Sequence, residues 1–133
     1  MKILKDLTFD QTRKIAIPDK GKLVMIEIRQ ILYCAAQGNY TIIHLFDGSK
    51  YTSSYTLKST CQKLNDFGII SISKSFAINL NGIHCIVQKR CTSVIMVNGE
   101  ELKVSRNCKG TLIKILFGLA SLLLDGDFLE LVW

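Results

Sequence analysis

Close cysteine pairs are missing from this chain. Its five cysteines, Cys34, Cys61, Cys85, Cys91 and Cys108, never fall in CxxC spacing. An odd, scattered set does not read as the disulfide framework of a small secreted fold, so each cysteine is read as a small buried hydrophobe. Histidine is scarce, and neither His44 nor His84 stands at ligand spacing from a cysteine, so no metal site is expected. The nucleotide-binding loops GxGxxG and GxxxxGK followed by Ser or Thr are absent. No Ser–His–acid or Cys–His set can be asserted from spacing, and Glu100-Glu101 reads as a charged hairpin rather than an acid/base pair. Neither catalysis nor a cofactor is expected. The start, MKILKDLTF, carries two lysines but no long apolar region, which argues against a secretory signal. The longest apolar-leaning stretch, residues 115–124, is too short to span a bilayer. A cytoplasmic chain with no integral membrane segment is the expectation.

What is present suits one folded domain. The 133 residues are 48% apolar, ample for a single core. The formal charge of +6 permits binding to a polyanion or an anionic surface. That charge is uneven: residues 58–114 hold nine Lys or Arg against three Asp or Glu, whereas residues 115–133 hold none against three. The positive excess belongs to the second half of the domain, and the tail opposes it.

Short apolar runs separated by turn residues predict a strand-rich fold. Residues 13–17 suit a short edge strand, with Pro18-Asp19-Lys20-Gly21 as its turn. Strands are expected over 23–26, 31–35, 40–46, 50–54, 69–73, 76–79, 83–88, 92–97 and 100–104, with Asp47-Gly48 and Asn98-Gly99 as hairpin signals. One internal helix follows Thr56, because Leu57, Cys61 and Leu64 recur at helical spacing; Thr56 caps its start and Gly68 follows its last turn. A terminal helix is expected just after Ser105-Arg106-Asn107. Three polar bends stand out: Gln37-Gly38-Asn39, Ser73-Lys74-Ser75 and Ser105-Arg106-Asn107. Cations beside hydroxyls and amides suit nucleic acid, since Lys and Arg meet phosphate or guanine, Asn and Gln pair with adenine, and Ser holds phosphate oxygens. Ordinary solvated turns would carry the same residues.

At these bends the sequence resembles the LytTR family of bacterial DNA-binding domains. Ile31-Leu32-Tyr33-Cys34-Ala35-Ala36-Gln37-Gly38-Asn39-Tyr40 is similar to its early I-x-Y-x-E-x-x-x-N-Y stretch, and Asp47-Gly48 follows. Ser71-Ile72-Ser73-Lys74-Ser75-Phe76-Ala77-Ile78-Asn79-Leu80 is similar to its central R-v-H-R-S-y-l-V-N-l signature, and Leu102-Lys103-Val104-Ser105-Arg106 to its closing one. The resemblance implies a mainly β fold, elongated, of three mainly antiparallel sheets with one internal helix and a C-terminal helix. It further implies transcription regulation by inter-strand loops in the major groove of double-stranded promoter DNA, commonly at paired repeats. Carried over residue by residue, the contact positions are Gln37, Asn39, Lys74 and Arg106, with Ser75 and Asn107 nearby. Ala35, Ser71 and Ser73 depart from the family's Glu, Arg and His, and Lys74 keeps the charge of an Arg without its two-pronged donor. The expected organisation is an N-terminal extension over 1–12, the binding domain over 13–114 and an apolar tail over 115–133. That tail suits packing on an uncovered sheet face, homodimer contact or peripheral membrane contact. The alternative functions are a strand-rich protein-interaction module without specific DNA binding, and RNA binding.

Overall fold

In the computed structural model, residues 9–124 are described, the side chains of 119–124 excepted. The order is β1 (Lys14–Asp19), β2 (Lys22–Glu27), β3 (Ile31–Gln37), β4 (Tyr40–Leu45), β5 (Lys50–Ser53), α1 (Leu57–Leu64), β6 (Ile69–Ser71), β7 (Phe76–Asn79), β8 (Ile83–Gln88), β9 (Thr92–Met96), β10 (Glu101–Lys103) and α2 (Arg106–Leu124). They build a β1-β2 hairpin, a central sheet ordered β5-β4-β3-β7-β6 and a third sheet ordered β10-β9-β8, and every pairing is antiparallel. The mainly β, three-sheet fold with one internal and one terminal helix is the expected one.

The central sheet is covered on both faces, which explains the continuous apolar run at the start of β3. On one face Cys34, Ile43, Leu45, Ile69 and Ala77 pack with Ile17 and Ile26 of the hairpin and with Leu57 and Leu64 of α1. On the other, Leu32, Tyr33 and Ile78 meet Val94, Met96 and Leu102 of the third sheet and Leu112 of α2. Strict alternation would send Leu32 and Tyr33 to opposite faces. A register slip between Ile31 and Tyr33 lets both join the second core, as an inserted bulge residue does.

Local chemistry sets the boundaries. The Thr56 hydroxyl accepts the Ser59 amide at 3.2 Å and so caps α1. After a 3-10 turn at Asn65–Phe67, Gly68 takes a left-handed φ of 90°. A Cβ there would lie 2.7 Å from Gln11 Nε2 and 3.0 Å from the Phe9 ring, so glycine is needed for space as well as for conformation. The first hairpin differs from expectation: Pro18 pairs within β1, and Lys20-Gly21 alone make the turn. Pro18 fits because β1 lies in a two-stranded sheet, where a missing donor is tolerated at an edge.

Two observations bear on the expected domain boundaries. Gln11 is buried, donating to the Phe67 carbonyl at 2.7 Å and to Asn79 Oδ1 at 3.1 Å, so the segment before β1 is tied to the core. At the other end α2 runs unbroken through residues 114 and 115. Leu112 is fully buried, and Ile115 and Leu116 pack on the second core. The expectations for residues 1–8 and for the tail from Asp125 to Trp133 lie outside the described residues. Among the described residues no helix is long and apolar enough to cross a membrane.

Candidate nucleic-acid interface

The β3–β4 turn begins at the Gln37–Tyr40 pair, with Gly38 and Asn39 at its corner. Gly38 has a φ of +59°, which an L side chain resists, and the two-residue turn holds Gln37 and Asn39 exposed. The β6–β7 bend is knotted by Ser73, whose hydroxyl accepts the amides of Ser75 and Phe76, each at 3.1 Å. The carbonyl of Ser73 in turn accepts the Ser71 hydroxyl at 3.1 Å. The two serines that replace the family's Arg and His therefore shape the loop, and Lys74 and Ser75 stand exposed at its tip.

The third bend differs from its expectation. Arg106 and Asn107 do not leave a strand into a loop; they form the first turn of α2. β10 stops at Lys103, buried Val104 anchors the link, and the Ser105 carbonyl already accepts the amides of Cys108 and Lys109 at 3.1 and 3.0 Å. Ser-Arg-Asn is common turn chemistry, but it is equally the chemistry of a helix start. Both exposed side chains therefore stand at the positive end of the helix dipole, with no acidic residue in the first turn.

Backbone hydrogen bonds bring these three bends to one end of the molecule. The Ala36 amide donates to the Ser75 carbonyl at 2.8 Å, joining the first bend to the second. The Ser105 amide donates to the Ile72 carbonyl at 2.8 Å, joining the second to the third. All six expected contact residues thus lie on bends held in one array. A fourth bend, Lys89-Arg90-Cys91 between β8 and β9, reaches the same end, because the Val104 amide donates to the Thr92 carbonyl at 2.9 Å. Sequence reading passed over it, although a Lys-Arg doublet between two strands was a usable signal. Lys74, Lys89, Arg90, Lys103, Arg106 and Lys109 are all exposed here, and none forms a salt bridge among the described residues. Such an array sums to a positive potential.

The remaining chemistry-bearing side chains are structural or peripheral. Cys34 is buried, and burial pushes its thiol up to about 12, so it stays protonated. Cys61 and Cys108 are half-buried beside an open groove of about 680 Å³ between α1 and the start of α2. Contrary to expectation, Cys85 and Cys91 are exposed: Cys85 follows a register slip in β8 and Cys91 sits in the hairpin bend. His44 stacks on Tyr33 with ring centroids 4.3 Å apart, and burial, then the Lys50 charge, holds its pKa below the ordinary value. His84 is exposed on β8. Among the described residues, no group of three His, Cys, Asp or Glu side chains could hold a metal ion.

Comparison with known proteins converges on one family. The family model described as the LytTr DNA-binding domain matches residues 21–117. The sensory transduction protein LytT of Bacillus subtilis (strain 168) is 30% identical over 105 residues, which cover 77% of this chain and 43% of that protein. The chain thus spans less than half the length of that curated relative. A solved LytTr DNA-binding domain from Bacillus cereus superposes with a TM-score of 0.67, at 21% identity, over 77% of this chain and 95% of that one. The structural likeness speaks for the fold.

Proposed function

The chain belongs to the LytTR DNA-binding domain family, and from that premise we propose that it binds double-stranded DNA in a sequence-specific manner and regulates bacterial transcription from the cytoplasm. The inter-strand bends enter the major groove. Arg106 reads a guanine edge with its forked donor, Gln37 and Asn39 suit adenine, and Lys74 with Ser75 and Asn107 takes phosphate oxygens. The observation that carries this reading is the backbone lattice, Ala36 to Ser75 and Ile72 to Ser105, which fixes at one end three polar bends whose cations form no salt bridge among the described residues. Loops held by a sheet keep their spacing, and readers of successive groove positions need that. No catalytic step belongs to this function. Two copies occupy paired repeats, with the apolar tail after Leu116 as the contact between them, since Ile115 and Leu116 are committed to the second core.

The test starts from a pool of randomised duplexes, from which the parent protein selects its preferred sequence. Arg106→Ala is expected to lose about 1–3 kcal/mol on that duplex and to flatten discrimination at one base pair. Lys74→Ala is expected to weaken all single-base variants alike. Thermal unfolding of both variants should stay within about 0.5 kcal/mol of the parent, since both side chains are exposed. An Arg106→Ala protein with the parent's affinity and base preference would remove Arg106 as the reader. A parent that selects no duplex, or prefers structured RNA, would overturn the function itself.

A further inference from the structure

We propose that the β8–β9 bend is a phosphate clamp, with Lys89 and Arg90 gripping the DNA backbone at the edge of the groove that Arg106 reads. The inference rests on the DNA-binding reading above and adds a contact that no sequence motif marked. Gln88 pairs with Thr92, so Lys89-Arg90-Cys91 forms the tip between the two strands. The next strand, β10, pairs with β9 up to Lys103 opposite Ser93, and the Val104 amide continues the ladder to the Thr92 carbonyl. The tip therefore stands beside the two residues that lead into Arg106.

Spacing decides what the tip meets. Neighbouring strands lie about 4.8 Å apart, so a bend centred between β8 and β9 sits about 7 Å from the β10 line that delivers Arg106. The major groove is about 12 Å wide. With Arg106 near its centre, a neighbour displaced by about 7 Å falls on its wall, where phosphates rather than base edges are presented.

The chemistry of the tip agrees. An open cleft of about 390 Å³ there is lined by Lys89, Arg90 and Lys103, with Ser93 and Glu101 on its wall. Three cations face one carboxylate, and that carboxylate already accepts the Ser93 hydroxyl at 2.5 Å. Lys89 and Arg90 form no salt bridge among the described residues, so neither must leave a protein partner to meet an anion.

Salt dependence separates a phosphate contact from a base contact, because each neutralised phosphate adds about 0.9 to the slope of log affinity against log salt concentration. The probe is the duplex selected by the parent protein, titrated over a range of salt. The double variant Lys89→Gln/Arg90→Gln is expected to flatten the slope by about 1.8 and to leave base preference unchanged, and each single variant by about 0.9. A control, Lys14→Gln/Lys22→Gln, removes the same charge from the exposed surface of the β1-β2 hairpin and is expected to keep the parent's slope. A tip variant with the parent's slope, or a control that flattens it equally, would overturn the clamp. If the parent itself shows no salt-dependent DNA binding, the function proposed above fails, and the clamp fails with it. Circular dichroism melts of all variants report whether the fold is kept, and the single variants carry the test should the double one melt early.

Discussion

Asn79 illustrates how much one side chain can organise. It is fully buried, donates to the Ile31 carbonyl at 2.8 Å and to Gln11 Oε1 at 3.2 Å, and accepts the Asn81 amide at 2.9 Å. Gln11 closes the network by accepting from Asn81 Nδ2 at 3.1 Å. Asn79→Ala would strand buried donors and acceptors, and is expected to cost about 1–3 kcal/mol in urea unfolding. A midpoint unchanged from the parent would show that these groups find other partners. Legibility at this scale followed chemistry that is local in sequence. Lys74 and Arg106 stood out because a motif surrounded them. Gln11 did not, since its partners Phe67 and Asn79 are 56 and 68 positions away and nothing adjacent marks it for burial. In the sequence Lys89 and Arg90 are simply two adjacent basic residues; only the Thr92–Val104 hydrogen bond shows which end they reach.

Among the elements, hairpins and the internal helix were the most legible, because turn and cap residues act on their immediate neighbours. Asp47-Gly48 and Asn98-Gly99 do join paired strands, and Thr56 does cap α1. The start of α2 was less so, since one Ser-Arg-Asn sequence suits a loop or a helix start and buried Val104 decides between them. α2 also bears on assembly. Its first half is committed to the second core through Leu112, Ile115 and Leu116, so the proposed dimer contact falls to its later part and beyond. Sedimentation of the full chain against a truncation ending after Phe117, which keeps the core-packing Leu112, Ile115 and Leu116, checks this. The full chain is expected to sediment as a dimer and the truncation to shift toward monomer. Two identical monomeric profiles would leave pairing to the DNA alone.

At the scale of the molecule, three sheets and two cores place four polar bends at one end, while the β1-β2 hairpin covers the face of the central sheet turned away from the third sheet. Composition foreshadowed the charge surplus of residues 58–114, but only the sheet order shows that bends from β3–β4, β6–β7, β8–β9 and the start of α2 meet. Such convergence depends on non-neighbouring strands, which local patterns do not encode. The most direct test of the account is amide chemical-shift mapping while the selected duplex is titrated into the full chain. The account predicts the largest shifts at Gln37, Gly38 and Asn39, at Ser73, Lys74 and Ser75, at Lys89, Arg90 and Cys91, and at Ser105, Arg106 and Asn107, with the β1-β2 hairpin nearly silent. Shifts concentrated on that hairpin, or spread evenly over the surface, would contradict it.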